Sequence, residues 1–190
     1  WVPAGFFDFL RGRSGWPLTE RGRQALQSAN LTDSTQNECI PVGAPMLMHY
    51  PTANRIEVAK DAVRIHVDWM DVERVVWLDG RKPPAGSPPT LHGHSTGRWD
   101  DKALVIETTH FAAHREGNAL GLPSSPRKRL TERLSLTADG RQINYEFVLE
   151  DPEYLAAPLR QSVLWDFRPE LKPSGTKCDV EAASRFLRQE

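Results

Sequence analysis

The sequence predicts a mainly β protein: an antiparallel barrel of eight to ten strands, wrapped by an N-terminal segment carrying one short helix. Three observations predict it. From Met46 to about Phe167, apolar and polar residues alternate with a period of two. Turn chemistry interrupts the alternation at short intervals, with Asp79-Gly80, DDK at 100–102 and ADGR at 138–141. Short links between successive strands imply antiparallel neighbours, and so many strands in one chain of 190 residues close most naturally into a barrel, which removes exposed edges.

The elements follow in order. Residues 1–45 are poorly periodic and read as a wrapping segment, in which PLTERGRQALQSA is one helix started by Pro17 and Thr19 and broken at Asn30. Expected strands are 46–50, 55–60, 63–70, ERVVWLDG, 91–99, 103–111, 127–137, 142–151 and 159–167. Two connections exceed what a hairpin needs: the proline-rich 81–90, and 110–128, with two histidines, two glycines and two prolines. Both are expected as loops bordering a barrel mouth. The whole chain, 1–190, is expected as a single domain, with the barrel over 46–168 and a tail over 169–190.

Composition narrows the function classes. The 24 basic and 25 acidic residues nearly cancel and form no basic block, so nucleic acid is not the expected partner. No apolar run reaches the roughly 18 residues of a membrane span. The first residue is Trp1 rather than Met, which a removed signal peptide or a deleted leader explains. Cys39 and Cys178 flank the core; in an oxidising compartment they would staple its two ends, and otherwise they are two separate thiols. Their wide spacing, with no CxxC, does not suggest zinc.

Alternation sorts side chains by face. In 63–69, Val63, Ile65, Val67 and Trp69 share one face and Arg64, His66 and Asp68 the other; the sequence leaves open which face points inward. In 92–98, His92, His94, Thr96 and Arg98 share a face. Glu107 sits with Ala103 and Val105. Glu132 sits with Leu130, Leu134 and Leu136, where a carboxylate must be paired, protonated or functional. Ile143, Tyr145 and Phe147 form the apolar face of the next strand.

The histidines of 91–111 have three readings. His92 and His94, two apart on one strand, can ligate a metal ion with a third ligand such as His110. A histidine beside a buried carboxylate can shuttle a proton without metal. Or all three simply satisfy neighbouring groups. Ser95 in GHSTG has the spelling of a hydrolase nucleophile elbow, but its flanks read as β on both sides, where that motif requires a strand-to-helix turn. No phosphate-binding or dinucleotide glycine loop is present.

The stretch GHSTGRWDDKALVIETTHF resembles the signature G(H/D)SxGxW(E/D)GDTLVV(E/D)TTxF of a large family of uncharacterised bacterial proteins abundant in proteobacteria. VWLDGRKPP, LTERLSLTADGRQINYEFVLEDPEYLAAP, PLTERGRQAL and CIPVGAP resemble further segments of that family in the same order, over most of the chain. The resemblance implies an exported, periplasmic or secreted protein with a lipocalin- or calycin-like barrel. The polar positions it matches are Asp68, Asp79, Gly80, Arg81, His94, Ser95, Trp99, Glu107, Thr108, Glu132, Arg133, Asp151 and Pro152. His92, His110 and His114 fall outside the pattern. KCDVEAA departs from the family's Cys-His-Glu run, so only Cys178 carries over there, and pairing of Cys39 with Cys178 gains weight.

Three functional expectations result. The first is a cofactor-independent acid–base enzyme (lyase, isomerase, cyclase or hydrolase) acting on a small aromatic or polycyclic molecule inside the barrel. His94 with Asp68 or Glu107 would be its acid and base, and Arg64, His66, Arg74, Trp69, Trp99, Glu132 and Tyr145 would hold the substrate. The second is a non-catalytic binding barrel using the same groups only to orient a ligand. The third is a metal enzyme built on His92, His94 and His110. The first two expect no metal and no cofactor.

Overall fold

The structure, a computed structural model, describes residues 1–5, 9, 15–175 and 177–185; the rest of the expected wrapping segment and tail (6–8, 10–14, 176 and 186–190) lies outside the described residues. It is mainly β. The strands, in chain order, are β1 (Val2–Pro3), β2 (Asn54–Val58), β3 (Ala62–Val67), β4 (Val72–Trp77), β5 (His94–Asp100), β6 (Ala103–Thr109), β7 (His114–Ala119), β8 (Leu122–Ser124), β9 (Arg129–Leu136), β10 (Gln142–Glu150) and β11 (Leu159–Asp166). The helices whose bounds fall within the described residues are α1 (Glu20–Ser28) and α2 (Val180–Ala183). No helix among the described residues is long and apolar enough to cross a membrane.

Nine strands form one nearly closed, barrel-like sheet in the order β1-β11-β10-β9-β6-β5-β4-β3-β2. The two edge strands meet at Trp1, whose N–H donates to the Asn54 carbonyl at 2.8 Å and whose carbonyl accepts from the Asn54 N–H at 2.7 Å. The sheet is not antiparallel throughout, as its sequence suggests. β4 and β5 run parallel over Val76↔Ser95 and Trp77↔Thr96, because the proline-rich connection between them carries the chain back to the starting end. The tight turn at 101–102 is as expected, with Asp101 at φ 53°.

Two expectations of local structure are overturned. MLMHY is not a strand: Met46–His49 is a 3-10 turn with all four side chains buried. A strand would expose alternate residues, whereas this short apolar run is enclosed on all sides, and periodicity cannot separate these cases over so few residues. Gly43, just before it, touches the Gly117 carbonyl so closely that an added Cβ would lie 2.3 Å from that oxygen. The expected mouth loop 110–128 instead contains the β7–β8 hairpin, a separate two-stranded sheet with a buried core-facing side.

Buried polar hubs attach these pieces. Glu116 of β7 accepts from Ser34 Oγ, Thr35 N and Thr35 Oγ1 at 2.8–2.9 Å, holding the wrapping segment to the hairpin. Asp151, after β10, accepts from Asn118 Nδ2, Ser125 N and Ser125 Oγ at 2.7–2.9 Å. α1 starts where Thr19 accepts from the Gly22 N–H, the side-chain cap expected from the sequence. Cys39 and Cys178 form a disulfide that ties the wrapping segment to the tail.

Candidate functional site

The barrel interior is built from alternate residues. On β3, Val63, Ile65 and Val67 point inward and are fully buried, so Arg64 and His66 face outward. On β4 the inward residues are Val72, Arg74 and Val76; on β9 they are Leu130, Glu132 and Leu134; on β10, Ile143, Tyr145, Phe147 and Leu149.

Three residues named from sequence therefore converge. Arg74 donates Nη1–H to Glu132 Oε1 at 2.8 Å and Nη2–H to Oε2 at 2.6 Å, and Tyr145 donates its hydroxyl to Oε1 at 2.8 Å. The side chains of Arg74 and Glu132 are 1% and 0% exposed. Beside them, Ser95 and Thr108 share a hydroxyl–hydroxyl bond of 2.8 Å. Burial opposes the charge of Arg74, but the facing Glu132 carboxylate outweighs it and raises the guanidinium's pKa. Burial, then the Glu132 charge, pushes Tyr145 well above the usual phenol range, so it is a hydroxyl donor. The carboxylate on the apolar face of β9 is thus paired. A carboxylate with both oxygens occupied and no solvent access is an interior brace rather than a base presented to an incoming molecule.

Sequence reasoning missed the other interior polar groups. His49, on the 3-10 turn, packs against Phe9, Tyr145 and Phe147 and donates Nδ1–H to the Pro45 carbonyl at 2.9 Å. Burial lowers it to about 4, against the Pro45 bond and the Glu132 charge. Lys128 is buried with its ammonium on the carbonyls of Ala44 and Gly117 and 4.6 Å from the Phe111 ring centroid. Burial pushes Lys128 down to about 7, with Asp151 opposing the shift and Arg74 adding to it. His49 was hidden inside an apparent strand. Lys128 sits where the expected loop 110–128 meets the expected strand 127–137, between Arg127 and Arg129.

The expected catalytic set does not assemble. His94 is on the outer surface, donating Nε2–H to the Arg81 carbonyl at 2.8 Å. Glu107 is exposed on the outer face of β6, opposite Thr96 and Thr131. Asp68 is at the far side of the sheet, accepting from Ser174 N at 2.6 Å, Ser174 Oγ at 3.1 Å and Gly175 N at 3.4 Å. Arg64 pairs with Glu73 on the surface at 2.8 Å, and His66 lies 3.6 Å from Asp71. Trp69 stacks on Tyr50 at 4.7 Å and donates Nε1–H to Gln36, and Trp99 is 50% exposed at the end of its strand.

The histidine trio also separates. His92 is not on the strand with His94, since Gly93 between them has φ +67° and turns the chain. His92 is largely buried, its Nδ1 without a partner, and lowered to about 4 by burial and then by the charges of Arg74 and Lys128. His110 instead donates Nε2–H to the Ser87 carbonyl at 3.0 Å. Among the described residues no group of three or more His, Cys, Asp or Glu is placed to hold a metal ion.

One depression, of about 440 Å3, reaches the buried His49 and Phe9 between 4–5 and 161–164. A groove of about 690 Å3 runs along the join between β2 and β1, walled by Trp1, Ile56, Phe167, Leu171 and Lys172, with Asn54 and His66 also lining it. A second depression of about 540 Å3 lies against 126–129, 150–152 and 155–158. Compared with known proteins, the chain matches no family model, no curated protein and no solved structure.

Proposed function

We propose that this protein is a non-catalytic, lipocalin- or calycin-like binding barrel that holds a small molecule in an exported, oxidising compartment. The observation that carries this reading is the groove of about 690 Å3 beside the barrel join, within the size range of small-molecule sites and lined by an aromatic pair. The interior carboxylate supports binding over catalysis, because both Glu132 oxygens are taken by Arg74 and Tyr145. The disulfide accords with export. An acid–base enzyme centred on His94 loses its basis, since its carboxylate partners do not meet it. A thermal-shift screen of small aromatic compounds, with each hit incubated and followed by mass spectrometry, tests the reading. The expected result is ligand-dependent stabilisation with every hit recovered unchanged. Stoichiometric conversion of a hit, abolished by Glu132→Gln, would overturn it.

A further inference from the structure

Two polar groups line the depression between 4–5 and 161–164 with nothing to bond among the described residues. The first is on His49, which is 2% exposed and whose Nδ1–H is committed to the Pro45 carbonyl at 2.9 Å. That bond fixes the tautomer. Burial keeps the ring neutral, so Nε2 carries a lone pair and no proton. Nε2 has no partner among the described residues, and it is not sealed from solvent. Because the ring lines the depression, Nε2 is the atom presented there. The second group is the amide of Gln161. Alternation along β11 places this half-buried residue on the inward side with Val163, directly opposite Phe147, whose ring lies 5.7 Å from that of His49. No hydrogen bond holds its amide among the described residues. The buried side chains of Phe9 and Val163 supply the apolar wall.

An acceptor without a donor, at the bottom of an apolar recess, specifies its occupant. The ligand must bring an O–H or N–H, which a carboxylate lacks. The donor must be neutral, because the rings of Phe9, Tyr145 and Phe147 around His49 penalise an ammonium as they penalise the imidazolium. A phenolic hydroxyl meets both conditions. It is more acidic than an alcohol, hence the stronger donor, and its oxygen accepts in return. Its ring suits an aromatic and aliphatic wall. We infer that the depression is a binding site for a small neutral phenol, whose hydroxyl donates to His49 Nε2 and accepts from the Gln161 amide while its ring packs on Phe9 and Val163. The site is separate from the groove at the barrel join and does not depend on it.

The probe is 4-ethylphenol, titrated by calorimetry into the full chain with its disulfide intact. Beside it are 4-ethylanisole, in which a methyl group replaces the donated hydrogen, and 2-phenylethanol, whose hydroxyl is aliphatic. The anisole should bind about tenfold more weakly and 2-phenylethanol about threefold more weakly. His49→Phe keeps a ring in place but removes the acceptor; it should weaken 4-ethylphenol about tenfold and make the phenol and the anisole bind alike. Gln161→Leu should weaken 4-ethylphenol about threefold. Phe167→Ala, in the groove at the barrel join, should leave its affinity within about twofold. Should His49→Phe fail to fold, the phenol-to-anisole ratio on the unaltered protein and the Gln161→Leu variant decide the matter. Equal binding of phenol and anisole to the unaltered protein, or no binding of 4-ethylphenol at millimolar concentration, overturns the inference. Binding that is lost in Phe167→Ala and unchanged in Gln161→Leu places the phenol in the groove instead, which overturns this site and leaves the binding reading standing.

Discussion

Arg74 and Glu132, 58 residues apart along the chain, meet inside the barrel through two hydrogen bonds of 2.8 and 2.6 Å. Neither side chain has access to water, so each charge depends on the other. Replacing Glu132 alone by Ala strands a buried guanidinium and should cost about 3–5 kcal/mol. The triple variant Arg74→Met, Glu132→Leu and Tyr145→Phe removes every polar member at once and should recover most of that loss. Urea unfolding followed by tryptophan fluorescence compares them. A cost below about 1 kcal/mol for Glu132→Ala would show that water reaches the pair.

The Cys39–Cys178 bond spans 139 residues of sequence. In the chain-entropy model, closing so long a loop stabilises the fold by about 5 kcal/mol. Reduction, or the pair Cys39→Ser and Cys178→Ser, should lower the urea midpoint accordingly. The tail should then become the first segment cut in limited proteolysis. An unchanged midpoint in reductant would mean that the bond contributes nothing to folding.

Stability should fall in acid for a specific reason. His49 and His92 have folded pKa values of about 4, below the ordinary value of 6.5. Between those limits the unfolded chain binds more protons than the folded one, so stability rises with pH from about 4 to 6.5 and is lost on acidification. The loss is roughly 3 kcal/mol for each histidine at most. Lys128, at about 7 when folded against 10.5, adds a second rise between about 7 and 10.5 by the same sign. Urea midpoints between pH 4 and 10 should show both limbs. His49→Leu should flatten the acid limb and leave the alkaline one; an unaltered acid limb in the His49→Leu and His92→Leu double variant would place its origin elsewhere.

Gly93 and His94 are adjacent but should respond oppositely to substitution. Gly93 has φ +67°, and an added Cβ would lie 2.5 Å from the Thr109 carbonyl oxygen. Gly93→Ala should therefore cost about 2 kcal/mol or more, from the left-handed backbone and the clash together. His94→Ala removes one surface hydrogen bond and should cost about 1 kcal/mol or less. It should also leave ligand binding unchanged. A large loss of binding in His94→Ala would restore this histidine to the site.

Much of the fold was legible because strand periodicity depends only on neighbouring residues. The strands 142–151 and 159–167 and the turn at Asp101 follow from alternation and turn chemistry, and Glu132 announced its pairing by standing among leucines. What periodicity could not supply was topology. The face of 63–69 that points inward depends on the rest of the ring. The same limit hid the parallel β4–β5 contact and the enclosed turn at Met46–His49. One glycine decided the histidine cluster: a period of two carried across Gly93 put His92 and His94 together, and its positive φ sends them apart.

The ring is laddered unevenly. β4 meets β5 only over Val76↔Ser95 and Trp77↔Thr96, and β2 meets β1 only at Trp1 and Asn54, whereas the ladders between are long. The barrel is therefore two curved plates, 54–77 and 94–166, with a short hinge on one side and a clasp on the other. Arg74 belongs to the first plate and Glu132 to the second, so their bond is a tie-rod across the hollow. Such an object breathes at the clasp, and amide exchange should be fastest around Asn54 and slowest along β9 and β10. A molecule filling the space beside the clasp stiffens both plates at once.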